Sequence, residues 1–152
     1  MDMVYLRKAV IEDIDLLFEW ANDPTVRRNS FNSAPISYEN HVKWLRNVLE
    51  SKDICQYILM DNGTPVGQIR LTIEDDMAEI GYSISSENRG KGYGHIILQL
   101  MAEEVHKNIP GIRRLIAKVK QENRASRRLF ESAGYEMKYS CYSLDIKHEY
   151  KE

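Results

Sequence analysis

The sequence predicts an α/β fold built on one mixed sheet, and three observations predict it. Segments with a two-residue apolar period alternate along the chain with segments whose apolar residues recur every three or four positions. The dipeptide Asn62-Gly63 separates two strand patterns, which favours an antiparallel hairpin. A helical pattern then joins the fourth strand pattern to the fifth, and such a connection makes those two strands parallel.

The size and composition of the chain suit one domain. Its 152 residues, of which 43% are hydrophobic, are sufficient for one sizeable core, so we expect residues 1–152 to form a single domain. A net charge of −2 gives no global attraction to nucleic acid or to an anionic membrane. Cys55 and Cys141 are too few and too far apart to predict a disulfide framework or a zinc site, and no metal is expected. The first residues form no apolar run, so neither a signal peptide nor a membrane span is predicted, and the expected location is the cytoplasm.

The first third of the chain predicts one strand and two helices. Residues 3–9 have the pattern of a strand, and a helical pattern after them ends at Asn22-Asp23-Pro24. Ser37 is placed to cap a second helix. The apolar positions of the first helix are Ile14, Leu16, Leu17, Trp20 and Ala21, and those of the second are His41, Val42, Leu45, Val48 and Leu49.

The central part of the chain predicts three strands and a helix. Residues 54–60 and 66–73 flank the hairpin dipeptide, and residues 78–84 form a fourth strand that ends at a glycine-rich loop. The helix after the loop has one apolar face, which packs on the sheet, and one charged face. The apolar face comprises Ile97, Leu98, Met101, Ala102 and Val105, and the charged face comprises Glu103, Glu104 and Lys107.

A fifth strand and a last helix follow. Pro110-Gly111 interrupts the chain, and apolar residues then alternate with charged ones in a strand pattern. The alternating residues are Leu115, Ala117 and Val119 on one face and Arg114, Lys118 and Lys120 on the other. Asn123 is placed to cap the last helix, and Gly134 is placed to end it.

The C-terminal region predicts one further strand. Residues 135–146 form a single alternating run without a clear turn, and the charged tail 147–152 follows. Either a hairpin is compressed near Ser140 or this strand pairs with a second subunit in a homodimer.

The glycine-rich loop is the most informative segment of the chain. Its sequence is Arg89-Gly90-Lys91-Gly92-Tyr93-Gly94. Glycine lets the main chain approach a ligand closely, and the first N–H groups of a helix attract anions. The alternative is a plain turn that joins a strand to a helix. The loop does not fit the dinucleotide fingerprint, because the following residue is His95, and the chain contains no nucleoside-triphosphate loop. The segment therefore predicts a site for the phosphates of another kind of nucleotide.

Two motifs in the same order resemble those of the GCN5-related N-acetyltransferases, the GNAT superfamily. Arg89, Gly92 and Gly94 match the signature Arg/Gln-x-x-Gly-x-Gly/Ala. The second motif is Asn123-x-x-Ser126-x-x-x-Phe130-x-x-x-Gly134-Tyr135. The order of predicted strands and helices also matches this superfamily along nearly the whole chain. The resemblance implies a mostly antiparallel sheet with helices on both faces, in which the parallel strands four and five splay apart.

The resemblance also implies the cosubstrate, acetyl-coenzyme A. In the superfamily the loop binds its pyrophosphate, and the pantetheine arm pairs with the main chain of the fourth strand. The binding residues implied here are Gly81, Tyr82, Ser83, Ile84, Arg89, Gly90, Lys91, Gly92, Tyr93, Gly94, Asn123, Ser126 and Phe130. Asn123 has an equally good structural role as a helix cap, and both roles can hold.

Acetyl transfer to an amine needs a base, because an alkyl amine has a pKa of roughly 10 and arrives protonated. Glu79 is the candidate, since Met77-Ala78-Glu79-Ile80 resembles the strand segment that carries the catalytic glutamate in histone acetyltransferases of this superfamily. The alternative for Glu79 is a surface carboxylate on an exposed strand face.

The leaving thiolate needs an acid, and here the sequence departs from the superfamily. Many members have tyrosine where this chain has Phe130, and a phenyl ring has no proton to donate. Ser126, one helical turn earlier, and Tyr135 are the candidate donors. The structural alternatives are that Ser126 is only a surface hydroxyl on a helix and that Phe130 only fills the core.

The acceptor amine is expected to lie against the polar and aromatic segment 20–44. The candidate binding residues are Arg27, Asn29, Phe31, Asn32, His41 and Trp44. Arginine suits phosphate, the aromatic rings suit stacking on a base or sugar, and the amides suit hydroxyls. A polar loop that caps two helices is the alternative.

The segment resembles the corresponding part of enzymes that acetylate nucleotide-linked amino sugars in surface-glycan and flagellin-sugar pathways. More loosely, it resembles ribosomal-protein N-terminal acetyltransferases. The resemblance therefore implies an acetyl-coenzyme A-dependent N-acetyltransferase acting on a small amine, with a protein N-terminus as the second candidate. A third hypothesis is a non-catalytic sensor that binds acetyl-coenzyme A.

Overall fold

A computed structural model describes residues 3–146 as a sheet between two layers of helices. The strands are β1 (Val4–Lys8), β2 (Ile54–Asp61), β3 (Thr64–Glu74), β4 (Met77–Ile84) and β5 (Arg114–Ile116). The helices are α1 (Ile14–Ala21), α2 (Pro24–Asn29), α3 (Tyr38–Glu50), α4 (Tyr93–Asn108) and α5 (Arg124–Ser132), with short 3₁₀ turns at Ile11–Asp13 and Ser86–Asn88.

The sheet has the order β1-β2-β3-β4-β5, so neighbours in the sequence are neighbours in the sheet. The first four strands are antiparallel, and β5 lies parallel to β4. The turn between β2 and β3 consists of Asn62 and Gly63, whose φ values of 49° and 85° are those of a tight hairpin turn. The predicted mixed α/β fold is confirmed.

The pairing of β4 with β5 ends early. Met77, Ala78 and Glu79 pair with Arg114–Ile116, and beyond this point β4 continues to Ile84 without a partner on that side. The predicted fifth strand is shorter than its alternating pattern indicated, because the chain leaves the sheet after Ile116. A gap therefore opens between the two strands.

Each face of the sheet has its own apolar core. The face toward α4 and α5 buries the larger cluster, and the face toward α1 and α3 buries the smaller one. The larger cluster comprises Tyr57, Leu59, Val66, Ile69, Leu71, Ala78, Ile80, Ile97, Leu98, Met101, Val105 and Phe130, and the smaller comprises Ala9, Leu17, Leu45, Ile58 and Met60. Leu49 and Ala102, which helical spacing placed on inner faces, are exposed because they lie at the edges of the apolar stripes.

A short helix follows α1 where the sequence predicted only a break. Asn22-Asp23-Pro24 does end α1, but Pro24 also begins α2. The Asp23 carboxylate accepts hydrogen bonds from the N–H groups of Thr25 at 2.9 Å and Val26 at 3.3 Å. Proline suits the first helical position because its missing N–H has no partner there anyway. The same residues therefore act as both stop and start signals.

The predicted final strand is wrong for the described residues. Gly134 ends the α5 region with φ 94°, and no strand forms over 135–146. An alternating pattern provides two faces but not a partner strand, and the side chains of Tyr139 and Tyr142 are 73% and 94% exposed. The predicted tail, residues 147–152, lies outside the described residues.

A partly buried ion pair fixes β1 to the start of the first helical layer. The Arg7 guanidinium donates to both carboxylate oxygens of Asp13, at 2.8 and 2.7 Å, and the Val10 N–H donates to one of them at 2.8 Å. Asp13 is buried. The hydrogen bonds from Arg7 hold the pKa of Asp13 below its ordinary value despite this burial.

Replacing Arg7 with methionine is expected to lower the free energy of unfolding by about 2 kcal/mol at neutral pH, because the Asp13 carboxylate loses its partner. The folded pKa of Asp13 is depressed, so its stabilising contribution is present above the ordinary carboxyl pKa and is lost as the pH falls through the folded value. Urea unfolding of Arg7→Met beside Arg46→Met, which changes an exposed arginine of α3, measures the effect. Equal losses in the two variants would contradict the proposed role of the pair.

Candidate functional site

An open cleft of about 940 Å³ lies where β4 and β5 part. The segment from α1 to α3 forms one wall, and the first turns of α4 and α5 form the other. Most of the residues predicted for a site line this cleft. They are Arg27, Asn29, Phe31, Asn32, His41, Trp44, Glu79, Gly81, Tyr82, Ser83, Ile84, Arg89, Gly90, Gly92, Tyr93, Gly94, Asn123, Ser126 and Phe130. Two predicted residues, Lys91 and Tyr135, are not part of the lining.

The glycines of the loop have two different roles. Gly90 and Gly92 have φ values of 77° and 87°, which other residues adopt only with strain, and Gly92 directly precedes α4. No side chain caps this helix end. Gly94 instead permits close packing, because a Cβ there would lie 2.8 Å from Cδ2 of Leu129 on α5. The main chain of the loop can therefore approach a phosphate group closely, as the donor set of such a site requires.

Side chains of the loop anchor it to neighbouring elements. The Arg89 guanidinium donates to Asp23 at 3.0 Å and to the Ile84 carbonyl at 3.2 Å. Burial opposes ionisation of Asp23, but the hydrogen bond from Arg89 and those from the α2 main chain outweigh it, so its pKa lies below the ordinary value. The Tyr93 hydroxyl donates to the carboxylate of Asp61 at the end of β2. The loop is thus fixed to both α2 and the sheet.

A pair of hydroxyls lies between β4 and α5. The Tyr82 hydroxyl is 2.9 Å from Oγ of Ser126, and the Ser126 N–H donates to the Asn123 side chain at 3.3 Å. Burial raises the pKa of Tyr82, which keeps its proton on the phenol. The sequence predicted Ser126 as a candidate proton donor but did not predict its contact with Tyr82, since a tyrosine in an alternating strand gives no sign of the helix it will meet.

Phe130 separates this pair from Tyr135. Its ring packs edge-on against Tyr82, with centroids 5.8 Å apart, and against Tyr135, with centroids 5.0 Å apart. Burial raises the pKa of Tyr135. Tyr135 therefore packs behind Phe130, away from the cleft lining.

Glu79 lies at the point where β4 and β5 part. Its carboxylate forms an ion pair with the ammonium group of Lys118, with Oε1 and Nζ 3.1 Å apart, and both side chains are about half exposed. The strand pattern had placed Lys118 on the charged face of β5, and the structure shows that it pairs across the gap instead. The ion pair positions the carboxylate at the edge of the cleft.

Arg27 organises the wall that faces Glu79. Its guanidinium donates to the carbonyls of Ala21 at 2.6 Å, Asn32 at 3.0 Å and Ala34 at 3.2 Å, and to Oγ of Ser30 at 3.2 Å. Burial lowers its pKa. These bonds hold the guanidinium against the end of α1 and the loop after α2, so Arg27 shapes the cleft wall.

Two aromatic rings and one guanidinium pack together at the base of the cleft, beside this wall. His41 is buried, its Nε2 lies 3.0 Å from the Ile14 carbonyl, and its ring is 5.4 Å from that of Trp44. The guanidinium of Arg70 on β3 lies over the Trp44 ring, with Cζ 5.6 Å from the ring centre. The sequence reasoning missed Arg70. The feature of the sequence that could have indicated Arg70 is a charged residue between two apolar strand residues, Ile69 and Leu71.

The family model described as "Acetyltransferase (GNAT) domain" matches residues 4–136. The chain belongs to this GNAT acetyltransferase family. Among curated proteins, it is 24% identical over 123 residues to the uncharacterized N-acetyltransferase YfmK of Bacillus subtilis, a match that covers 81% of this chain and 78% of the relative.

Solved structures share the GNAT fold with this chain. The aminoglycoside acetyltransferase AAC(6')-Ib, in complex with coenzyme A, is 22% identical with a TM-score of 0.78, over 90% of this chain and 86% of that one. Spermidine N-acetyltransferase from Vibrio cholerae, in complex with coenzyme A and spermine, is 18% identical with a TM-score of 0.78, over 86% and 79% of the two chains. A domain from Methanocaldococcus jannaschii is 26% identical with a TM-score of 0.77, over 90% of both chains.

This GNAT protein is therefore an acyltransferase, an acetyl-coenzyme A-dependent N-acetyltransferase. Within residues 3–146, no group of histidine, cysteine or acidic side chains could hold a metal ion. In the same part of the chain, no helix is both long and apolar enough to cross a membrane.

His41 gives the GNAT fold a pH-dependent element. Burial lowers its pKa, so the folded protein holds the neutral ring, whereas the unfolded chain takes up a proton near pH 6.5. Its stabilising contribution is present above the unfolded pKa and is lost as the pH falls toward the lower folded value. We expect the free energy of unfolding to fall between about pH 7 and about pH 5.5, and to fall less in His41→Gln, measured by urea unfolding. Parallel curves for the two proteins would refute this assignment.

Proposed function

We propose that this enzyme acetylates the amino group of a nucleotide-linked amino sugar. The observation that carries the proposal is the charge of the cleft. Its lining contains four cationic residues, Arg27, Arg70, Arg89 and Lys118, and among the described residues Glu79 is the one carboxylate in it. Polyamines and aminoglycosides carry several positive charges, and a cleft of this sign repels them. A nucleotide-linked sugar carries an anionic diphosphate.

Aromatic and amide side chains of the acceptor wall also suit a nucleotide sugar. Phe31 is 68% exposed at the wall, and Trp44 lies deeper beside Arg70. Aromatic rings bind the faces of bases and sugars, and the amides of Asn29 and Asn32 can bind hydroxyls. These residues support a sugar acceptor independently of the charge of the cleft.

The other half of the cleft fits acetyl-coenzyme A. The main chain around Gly90 and Gly92 would hold its pyrophosphate, and the unpaired edge of β4 up to Ile84 would pair with the pantetheine arm. Asn123 would contact that arm from the start of α5. The reactive thioester then lies near Ser83 and Ser126, between the acceptor wall and α5.

The proposed reaction uses groups on both faces of β4. Glu79 removes a proton from the acceptor ammonium, and the amine lone pair forms a bond to the thioester carbonyl carbon. Main-chain N–H groups near Ser83 stabilise the oxyanion. The C–S bond then breaks, the thiolate takes a proton from the hydroxyl pair of Ser126 and Tyr82, and the pair regains a proton from water. The amide nitrogen loses its second proton, which leaves the N-acetyl product, coenzyme A and one released proton.

The acceptor class is tested by following thiol release with acetyl-coenzyme A and a panel of acceptors. The panel contains amino sugars, nucleotide-linked amino sugars, peptides with free N-termini and spermidine. We expect the highest kcat/KM for a nucleotide-linked amino sugar, and a loss of roughly 10²- to 10⁴-fold in Glu79→Gln, because a general base contributes about that much. Glu103→Gln, an exposed change on α4, is the matched control.

Other outcomes of this panel identify the alternatives. Preference for a peptide would replace the proposal with a protein N-terminal acetyltransferase. Tight binding of acetyl-coenzyme A with thiol release on no acceptor would indicate a non-catalytic sensor.

The thiolate acid is tested with three single variants. We expect Ser126→Ala and Tyr82→Phe each to lower kcat with saturating substrates by roughly 10- to 100-fold, because the proton chain is broken. The double variant is expected to lose little more, since both residues act in one unit. Tyr135→Phe serves as the control and is expected to keep its kcat. An equal loss in Tyr135→Phe would show that the donor has been misassigned.

A further inference from the structure

We propose that Arg70 forms a binding subsite for an oxyanion of the acceptor, a carboxylate or a phosphate carried by the same molecule as the reacting amine. The inference rests on the proposed function only in treating this half of the cleft as the acceptor site. It names a chemical requirement that any acceptor would meet, whether or not it is a nucleotide sugar.

Arg70 lies close to the candidate base in the sheet. Arg70 on β3 pairs with Gly81 on β4, and the next pair along on the same face is Thr72 with Glu79. Side chains of directly paired residues project to the same face of a sheet. Arg70 and the candidate base Glu79 are therefore diagonal neighbours on the face toward α1 and α3. Both line the cleft.

The guanidinium of Arg70 lacks a partner among the described residues. Among residues 3–146, no side chain or main-chain group forms a hydrogen bond or an ion pair with Arg70, and its close contact is the Trp44 ring. Glu79 is near enough to act on it electrostatically, but the Glu79 carboxylate is held by Lys118 at 3.1 Å. A half-buried guanidinium normally finds partners for its five N–H donors, because leaving them unpaired is costly.

The other cations of the cleft do not share this property. Arg27 is held by carbonyls of its own loop, Arg89 by Asp23 and Lys118 by Glu79. Of the four cationic side chains in the described lining, Arg70 is the one without a hydrogen bond or an ion pair of its own. The phosphate-binding role that the sequence assigned to Arg27 is better met by Arg70.

The Arg70 side chain is turned toward the cleft. Its cross-strand neighbour on β2 is Gln56, whose Oε1 is buried and has no hydrogen-bond partner in the described structure. The Gln56 amide nitrogen donates instead to Gln68 at 2.7 Å, and Gln68 donates to Ser83 at 3.0 Å. Arg70 does not donate to the adjacent free oxygen, because its guanidinium is turned toward Trp44 and the cleft.

Open space lies opposite Arg70 on the neighbouring strand. A Cβ added to Gly81 would meet no atom within 4 Å, and the φ of Gly81 lies outside the left-handed region. Neither packing nor backbone conformation requires glycine at this position. The missing side chain leaves room between Arg70 and the edge of β4, where a ligand group can reach the guanidinium.

The chemistry of the subsite selects a planar or tetrahedral oxyanion. The fork of N–H donors on a guanidinium matches carboxylate or phosphate oxygens, and an aromatic face behind it holds the fork in one plane. An acceptor bound here would place its anion at Arg70 and its amine beside Glu79. The pyrophosphate of acetyl-coenzyme A is assigned to the glycine loop, so the anion at Arg70 belongs to the acceptor.

The test compares Arg70→Gln with Arg46→Gln, which removes an exposed arginine of α3. Each protein is assayed with pairs of acceptors that differ only in the anion: an amino sugar and its 1-phosphate, and an amino acid and its amide. We expect Arg70→Gln to raise KM for the anionic members by roughly 10- to 100-fold, as loss of a charged hydrogen bond does, and to leave KM for acetyl-coenzyme A unchanged. The phosphate and carboxylate pairs show which oxyanion is preferred.

A second variant guards against a trivial loss of structure. Gly81→Ala fills the space opposite Arg70 without a clash in the free protein, so we expect an unchanged unfolding midpoint and a raised KM for anionic acceptors. Equal effects of Arg70→Gln on charged and neutral acceptors would overturn the proposal, and so would a raised KM for acetyl-coenzyme A alone.

The outcome is separable from that of the proposed function. A higher kcat/KM on anionic acceptors without a nucleotide than on nucleotide-linked amino sugars, lost in Arg70→Gln, would refute the nucleotide-sugar assignment and support the subsite. Should no acceptor be turned over, titration with inorganic phosphate and with acetate, followed by tryptophan fluorescence, still tests Arg70. The subsite is supported if the anion quenches the wild type and its apparent dissociation constant is at least roughly 10-fold higher for Arg70→Gln. Equal quenching of both proteins, or quenching of neither, overturns it.

Discussion

The pairing of β4 with β5 stops after three residue pairs, and the active cleft exists because it stops there. The main-chain groups of β4 from Ile80 to Ile84 are then left along an open edge, between the glycine loop and the acceptor wall. Unpaired main-chain groups are costly in a protein interior, so an edge of this kind is stable only beside solvent or a ligand. Glu79 marks the last pair and lines the cleft that opens there.

In the proposed mechanism, the alternation of side chains along β4 separates the two proton transfers. Glu79 and Gly81 face α1 and α3, whereas Ile80 and Tyr82 face α4 and α5. A base on one face and a proton donor on the other would leave the thioester between them, on the strand edge. The proposed donor pair would also compensate for the absent tyrosine at Phe130, because a phenol from β4 reaches Ser126 where the helix has only a phenyl ring.

Local signals in the sequence predicted the features that depend on local geometry. Asn62-Gly63 specified a hairpin, and the glycine loop specified the entry to α4, because both need backbone conformations that few other residues adopt. The contacts of Arg70 and Arg27 were not predictable. Arg70 packs on Trp44, which is remote in the sequence, and Arg27 binds main-chain carbonyls, which any residue supplies. The strand over 135–146 failed for the related reason that a strand also requires a partner.

The bonds from Arg27 to the end of α1 and to the loop after α2 have a consequence for how this wall of the cleft can change. Three of the four acceptor groups are carbonyls, which every amino acid possesses, and the Asn32 side chain adds a further bond by accepting from the Ala34 N–H at 3.1 Å. The conformational entropy of the loop is lost during folding, and a molecule that binds in the cleft does not have to order it again. Asn29 and Phe31 contribute none of these bonds, so they are replaceable without rebuilding the wall, which gives this segment a rigid frame with exchangeable side chains.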